Sequence, residues 1–285
     1  INDVDGIRAR WGLMTGGIDP RWPFANCDGT IETQGPSGGV TQSLSAVSES
    51  GISGPDSDAR FAKAADPDDA TKTCYVMRRE QGDESTLKRT ELSFSITFTP
   101  VPLGSVCWIG FAIRIPDAWK AAGPTDETAV FQVHDTPDVG DDTQPAPISM
   151  LVRGQGMLMW VRSNPNATTL AADTTYTQVW AEASYPSDQW QFFAVRLRSH
   201  WDAASAPTLD VWRRAGDATQ KIVEHSGPNS YNNVARDFVK SGLYYYDEEW
   251  SGGITERQMH HKGLFQWLDG QDIDHSLILD HLQSI

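Results

Sequence analysis

Two stretches of the chain alternate apolar and polar side chains with a period of two residues. In residues 92–99, Leu, Phe and Ile alternate with Ser and Thr, and residues 109–115 repeat the pattern with Ile and Phe at every second position. Successive side chains of a β-strand point to opposite faces, so this alternation predicts strands that bury one face in a core. On the second strand, Trp108, Ala112 and Arg114 are predicted to share the opposite face.

Further short strands are predicted along the chain, with turn-forming sequences such as residues 153–156 between them. Helical periodicity is scarce, and residues 117–122 and 233–237 are each predicted to form about one helical turn. The further predicted strands are residues 130–134, 148–152, 157–162, 190–198, 209–213, 238–246 and 276–282.

Many short strands with turn punctuation favour an all-β fold, which we predict to be a β-jelly roll: a two-sheet antiparallel sandwich with a concave cleft. The first 70 residues are rich in Gly, Ser, Asp and Pro and are expected to form short strands and loops. No linker divides the chain, so we predict a single domain over residues 1–285.

Charge and hydropathy exclude two classes of partner. The chain has 38 Asp and Glu against 23 Lys and Arg, a formal net charge of −15. No nucleic-acid partner is expected, because no basic stripe is present to replace the counterions of a phosphate backbone. No apolar run approaches the ~20 residues that cross a bilayer, so no membrane partner is expected. We expect a soluble acidic monomer, in which local Arg and Lys can still line a cleft for an acidic substrate.

The cysteines and acidic residues give no firm metal motif. The three cysteines lack zinc-site spacing; Cys107 is expected to be a small buried side chain, and whether Cys27 pairs with Cys74 in an exported protein stays open. Two acidic groups carry oxygen ligands suited to Ca²⁺, although exposed acidic loops are the better explanation of both. We predict no cofactor and leave a structural Ca²⁺ open. The acidic groups are Asp135, Asp138, Asp141 and Asp142, and residues 269–274.

Three predicted strands place polar side chains two residues apart, and therefore on one face. The segments are residues 89–92, 132–134 and 240–244. If these strands lie side by side, one face gathers a guanidinium, an amide, an imidazole and a phenol. Phe131 and Val133 then point the opposite way, which directs the polar pair of their strand away from the core. The pairs are Arg89 with Glu91, Gln132 with His134, and Lys240 with Tyr244.

These groups suit β-elimination from a uronic-acid polymer. The reaction removes the C5 proton beside a carboxylate, which must be neutralised to stabilise the developing enolate-like charge. Arg89 offers a planar fork and Gln132 a neutral amide donor for that carboxylate. Imidazole has an ordinary pKa near ~6.5, so His134 would accept the proton near neutral pH. Tyr244 would protonate the leaving O4, or act as the base for the other epimer.

Two more residues would support this chemistry, and each member of the set also has a structural explanation. Glu91 would hold the Arg89 guanidinium, and Lys240 would add positive potential. Taken singly, an Arg-x-Glu pair is often a surface ion pair, a strand histidine is often satisfied in a core, and Tyr244 belongs to a run of three tyrosines. Their joint presence at matching strand positions favours a site.

At these residues the chain resembles the jelly-roll polysaccharide lyases, a group that includes alginate lyases, glucuronan lyases and heparin-lyase-like enzymes. The family motifs Arg-Ser/Thr-Glu-Leu, Gln-Ile/Val-His and Tyr-Phe-Lys-Ala-Gly-x-Tyr correspond, in the same order, to residues 89–92, 132–134 and 238–244. The resemblance covers roughly residues 86–246. It implies that Arg89 and Gln132 bind the carboxylate, that His134 is the base, and that Tyr244 is the acid.

The resemblance implies a secreted or periplasmic, endo-acting lyase that cleaves a uronic-acid-containing polysaccharide by β-elimination. Val239, Tyr245 and Tyr246 depart from the alginate-lyase motif, so glucuronan, alginate and related acidic exopolysaccharides all stay open as substrates. A non-catalytic carbohydrate-binding jelly roll is the second hypothesis, and a jelly-roll glycoside hydrolase, which needs two facing carboxylates, is the third. The predicted substrate contacts are Glu91, Lys240, Arg114, Trp108 and Tyr246, with Trp160 and Trp212 as further aromatic candidates.

Overall fold

The computed structural model describes residues 61–80, 89–93, 101–123, 125–245, 253–268 and 274–285. Several sequence predictions concern other parts of the chain. The predictions for residues 1–60, the continuation of the first alternating strand over 94–99, the acidic stretch 269–273, Cys27, Tyr246 and the side chain of Arg89 lie outside the described residues.

Thirteen strands are present within the described residues. They are β1 (Phe61–Ala65), β2 (Thr73–Glu80), β3 (Arg89–Ser93), β4 (Val106–Arg114), β5 (Glu127–His134), β6 (Ile148–Arg153), β7 (Gly156–Ser163), β8 (Thr175–Glu182), β9 (Trp190–Arg198), β10 (Thr208–Ala215), β11 (Ala218–Ser226), β12 (Phe238–Tyr245) and β13 (Glu256–Leu268).

The strands form two sheets, and neighbouring strands pair antiparallel. The seven-stranded sheet has the order β1-β2-β13-β4-β9-β10-β11, and the six-stranded sheet has the order β3-β12-β5-β6-β7-β8. The predicted two-sheet antiparallel sandwich is confirmed for the described residues. That residues 1–285 form one domain stays a prediction.

The main hydrophobic core lies between the two sheets and follows the predicted alternation. Phe111 of β4 stacks on Phe131 of β5, with ring centroids 4.7 Å apart. Ile109 and Ile113 are buried in the same cluster, whereas Trp108 belongs to a second cluster on the opposite face of β4. Strand parity therefore assigned these side chains to the correct faces.

The C-terminal residues form an α-helix, α1 (His275–Ser284), so the strand predicted over residues 276–282 is wrong. Asp274 begins the helix, because its carboxylate accepts a hydrogen bond from the backbone N–H of Leu277 at 2.9 Å. The helix packs on the outer face of the seven-stranded sheet. Two adjacent apolar residues are both buried, which fits a helical face and not the alternation of a strand. The buried side chains are Ile278, Leu279, His281 and Leu282.

Three smaller predictions have mixed outcomes. The turn predicted over 117–122 is a 3₁₀ helix, Asp117–Ala121, whereas residues 233–237 form bends without helix. Cys107 is buried in β4 as predicted, and Cys74 is buried in β2. Among the helices within the described residues, none has the length and apolar character needed to span a bilayer.

Candidate active site

The strands β3, β12 and β5 are neighbours in the six-stranded sheet, which brings the three polar segments together. Lys240 of β12 lies opposite Gln132 of β5, and Tyr244 lies opposite the backbone of Arg89 on β3. Because the alternate side chains of these strands point into the core, the polar segments face outward on one side of the sheet. The inward-pointing side chains are Leu92, Phe131, Val133, Val239 and Leu243.

A buried hydrogen bond between Gln132 and Glu91 forms part of the floor of this face. Gln132 Nε2 donates to Glu91 Oε1 at 2.6 Å, and the two residues are 2% and 1% exposed. The bond extends from β5 to β3 across β12, where Gly242 lies opposite Glu91. Glu91 orients the Gln132 amide; that it also holds the Arg89 guanidinium stays a prediction.

His134 ends β5, and the backbone beside it sets the position of its proton. Its Nδ1 lies 2.6 Å from the carbonyl oxygen of Asp135. A carbonyl oxygen only accepts hydrogen bonds, so in the neutral ring Nδ1 carries the proton and Nε2 is the basic nitrogen. The side chain is 24% exposed, and its ring packs against Phe238 with centroids 5.4 Å apart. The ring is thus held with Nε2 as its proton acceptor.

Lys240 places a positive charge near His134. The residue is 2% exposed, and its ammonium lies 5.1 Å from the centroid of the Phe238 ring. Since the same ring packs against His134, Phe238 contacts both groups. An ammonium at the base of an outward face raises the local potential, which favours a negatively charged ligand there.

Tyr244 lies further along β12 and is half-buried. It packs against an apolar patch formed by Ala129, Leu151 and Leu158 on β5, β6 and β7. Trp160 packs against the same patch. The phenol ring is therefore fixed by contacts on the outward face while part of it remains exposed.

Trp160 is the aromatic candidate that the structure brings to this face. Gln132 lies opposite Ser149, and Ser149 lies opposite Trp160, so the three form a row across β5, β6 and β7. Trp160 is half-buried. The row gives the outward face an aromatic side chain two strands from the polar segments.

The structure does not bring Trp108, Arg114 or Trp212 to this face, because β4 and β10 belong to the seven-stranded sheet. Trp108 is 7% exposed and packs on Trp212 with ring centroids 5.6 Å apart. Arg114 lies 3.7 Å from the carboxylates of Asp68 and Asp188. We therefore correct the expectation that these residues contact the substrate. Strand alternation predicted which face of the strand each side chain takes, but not which of the two sheets the strand belongs to.

Two buried acids close to His134 were missed as site residues. Asp135 was assigned to an acidic loop, and Asp237 was not singled out. Burial, together with the nearby charge of Asp237, raises the pKa of Asp135 to about 7. Burial also raises the pKa of Asp237 to about 6, against hydrogen bonds from two serine hydroxyls. The sequence signal for Asp135 was its position directly after the proposed base.

The acidic loop after β5 uses its carboxylates to bind backbone N–H groups. Asp138 accepts from Val234 at 2.9 Å, and Asp141 accepts from Thr169 at 2.7 Å. Asp142 similarly accepts from Ala171 at 2.9 Å. These bonds tie three loops together. Over the described ranges, no group of three or more His, Cys, Asp or Glu side chains is arranged to hold a metal ion.

A cavity of about 410 Å³ opens at the other end of the six-stranded sheet, at the turn between β6 and β7. Arg153 and Leu158 line it, and Leu158 also belongs to the patch under Tyr244. Arg153 lies opposite Glu127, the first residue of β5, whereas His134 is the last. The cavity and the proposed base therefore lie at opposite ends of β5.

A family model described as polysaccharide lyase matches residues 27–264. The chain belongs to the polysaccharide lyase family. The match includes the three polar segments, and the predicted enzyme class is confirmed. A search of the curated proteins finds no match to this lyase.

Solved structures show the fold of this lyase. It is similar to an endo-β-1,4-glucuronan lyase from the fungus Trichoderma reesei, with 13% identity, 73% of this chain and 86% of the other covered, and a TM-score of 0.60. An alginate lyase from Aplysia kurodai has 7% identity, coverage of 74% and 88%, and a TM-score of 0.49. A GH131 β-glucanase catalytic domain from Podospora anserina has 14% identity, coverage of 79% and 85%, and a TM-score of 0.48.

At these identities the likeness concerns the fold alone. The glucuronan lyase supports the predicted jelly roll, which is confirmed.

Proposed function

We propose that this lyase cleaves a uronate-containing polysaccharide by β-elimination on the outward face of the six-stranded sheet. The observation that carries the proposal is the adjacency of β3, β12 and β5, with His134 and Tyr244 on one face and Nε2 as the basic nitrogen of His134. Tyr244 lies opposite Ala129, five positions from His134 along β5, so the two side chains must extend toward each other to flank one sugar residue. Glucuronan, alginate and related acidic exopolysaccharides share the required chemistry. The similar fold of the Trichoderma reesei glucuronan lyase favours glucuronan as the first polymer to test.

In the proposed step, His134 Nε2 takes the proton from C5 as the C5–H bond breaks. The C4–O4 bond breaks with its electron pair going to O4, which takes the phenolic proton of Tyr244. A C4=C5 double bond forms in the new non-reducing end. Arg89 and Gln132 bind the uronate carboxylate, where the enolate-like charge develops. Solvent then returns the proton to Tyr244 and removes the one on His134.

The remaining residues of the proposed site act by position and charge. Glu91 fixes the Gln132 amide through the 2.6 Å hydrogen bond, so that its second N–H is aimed by the protein before substrate binds. Lys240 contributes positive potential for a polyanion. Tyr246 and the aromatic ring of Trp160 would bind sugar rings beside the cleaved bond. No cofactor is required for this step. Because a polysaccharide substrate does not cross a membrane, we propose that the enzyme is secreted or periplasmic. We also propose that it acts as a monomer.

The test is the ultraviolet absorbance of the conjugated unsaturated uronate, recorded with glucuronan, alginate and heparin-like polymers. We expect product from at least one polymer and a loss of about 10²–10⁴-fold in kcat for Tyr244→Phe, which keeps the ring but lacks the acid. Binding of a uronate polymer without unsaturated product would instead support a carbohydrate-binding module. Activity that survives Tyr244→Phe unchanged would remove Tyr244 from the proposed mechanism.

A further inference from the structure

We propose that Asp135 is a positioning residue for the proposed base, acting through both its backbone and its side chain. Its carbonyl fixes the tautomer of His134, and its buried carboxylate stabilises the imidazolium that forms when His134 takes the C5 proton. The inference rests on the proposed function of His134. Asp135 itself does not touch the substrate in this role.

The side chain of Asp135 is held beside the imidazole and away from water. Asp135 is 3% exposed, and its Oδ1 lies 3.7 Å from His134 Nδ1. Oδ2 accepts a hydrogen bond from Asn233 Nδ2 at 3.1 Å. Oδ1 is buried and has no hydrogen-bond partner within the described part of the chain. A buried carboxylate oxygen without a donor is costly, and a charged imidazolium beside it offsets that cost.

The other groups that face Asp135 make a positive charge on His134 more favourable. Asp237 and Asp141 both act on Asp135 as like charges. The phenol of Tyr231 also faces it, and burial raises the pKa of that phenol, so it stays neutral. Asp237 accepts hydrogen bonds from Ser199 at 3.0 Å and Ser230 at 2.7 Å, which hold its carboxylate in place. An imidazolium at His134 therefore meets an acidic environment below the sheet face, whereas the Lys240 ammonium on β12, which contacts the same Phe238 ring, opposes that charge from the outward face.

The proton transfer leaves a definite charge arrangement. When Nε2 gains the proton, His134 carries N–H groups on both nitrogens, and the Nδ1–H still donates to the Asp135 carbonyl. The carboxylate then lies within ion-pair distance of the new positive charge, whereas a protonated Asp135 gives no such stabilisation. Since burial raises the pKa of Asp135 to about 7, the charge of its carboxylate changes with pH near neutrality.

The first test is the pH profile of kcat/KM for Asp135→Asn, which keeps the size of the side chain and its backbone carbonyl. Removing the carboxylate lets His134 stay neutral to lower pH, so we expect the acidic limb to move down by about one unit and the plateau to fall about tenfold. Asp217→Asn, in an exposed turn, removes the same charge from the surface and is expected to leave the limb in place. A lower plateau with an unmoved limb would reduce Asp135 to a structural role.

The second test does not depend on activity. The titration midpoint of the His134 imidazole is measured by NMR without substrate, with the signal assigned by its loss in His134→Ala. We expect the midpoint to fall by about one unit in Asp135→Asn. Asn233→Ala keeps both acids but removes a hydrogen bond that favours the carboxylate, so we expect a smaller shift in the same direction. An unmoved midpoint in these variants overturns the inference whether or not the enzyme cleaves any polymer tested. If the midpoint moves but no polymer gives unsaturated product, the result supports the interaction of Asp135 with the His134 imidazole and contradicts only the proposed function.

Discussion

Two histidines lie on opposite sides of the six-stranded sheet, one on its outward face and one in the core between the sheets. This difference determines whether each ring can take up a proton. His134 is partly exposed on the outward face. His261 of β13 lies between the two sheets, is 0% exposed, and has its Nε2 2.7 Å from Ser241 Oγ on β12. Burial lowers the pKa of His261 to about 3, so it remains neutral at any ordinary pH.

The hydrogen bonds also give the two rings opposite tautomers. Ser241 Oγ donates its one proton to the Val130 carbonyl at 3.0 Å, so it must accept from the Nε2–H of His261. The basic nitrogen of His261 is then Nδ1, which is buried without a hydrogen-bond partner among the residues described. His134 instead keeps Nε2 basic, on the face that carries Tyr244. Lys240 and Ser241 are adjacent on β12, so one step along a strand separates the proposed site from the core.

The sharpest test of this comparison is His134→Ala. We expect kcat/KM to fall by about 10²–10⁴-fold, the usual range for loss of a general base, because no other described histidine shares the outward face of β5 with it. The thermal midpoint should change little, since the side chain is partly exposed. Rates are measured from the unsaturated product and stability from thermal unfolding. A variant with nearly full activity would show that the base lies elsewhere.

Gly242→Ala tests the strand that separates the two faces. Gly242 has φ of 150°, and a Cβ there would lie 2.5 Å from the Glu91 Cα of β3. We expect a loss of about 3 kcal/mol in the free energy of unfolding, measured with denaturant, because β3 must move away from β12. Activity should also fall, since the move displaces Glu91.

The matched control is Gly253→Ala. Gly253 also has positive φ, 73°, but a Cβ there meets nothing within 4 Å. Its substitution should cost only about 1 kcal/mol, the strain of the left-handed conformation. Equal losses for the two variants would mean that backbone strain, and not the close approach of β3, explains the effect at Gly242.

Local alternation predicted which residues of the site share a face, but not which strands are neighbours. Gln132, His134 and Tyr244 point outward as expected, because parity depends only on position along a strand. The order β3-β12-β5 depends on pairings between residues 147–155 apart in sequence for β3 with β12 and 104–117 apart for β12 with β5. The burial of Asp135 has the same origin, since its partner Asn233 is 98 residues away.

The long strand β13 was missed for a related reason. It contains Arg257, His261 and Lys262, whose charges and polarity interrupt the apolar alternation, yet all three are buried. Arg257 lies 3.5 Å from the Asp126 carboxylate and Lys262 pairs with Asp66, so each buried cation has an acid from a distant segment. A buried ion pair is invisible to a local pattern because only the fold brings its partners together.

His261→Gln tests the core side of the comparison through pH. The unfolded imidazole gains a proton below ~6.5, whereas the folded one does not until about pH 3, so the wild type loses stability as pH falls through that window. The raised pKa values of Asp135 and Asp237 give the opposite slope in both proteins. We therefore compare the two proteins between pH 7 and pH 4 by denaturant unfolding. The variant should lose about 1–3 kcal/mol less than the wild type. Parallel curves would show that His261 is not held neutral by burial.

Trp160→Ala and Trp212→Ala compare the two outer surfaces of the sandwich, and we expect the smallest effect here. Trp160 lies on the proposed binding face, so its loss should raise KM about three- to tenfold, as expected for one aromatic contact, with little change in kcat. Trp212 packs on Trp108 beside α1, on the other sheet, so its loss should lower stability without raising KM. The measurement is KM and the thermal midpoint for both variants. If KM instead rises for Trp212→Ala alone, the polymer binds the seven-stranded sheet, and the outward face of β3, β12 and β5 is not the substrate face.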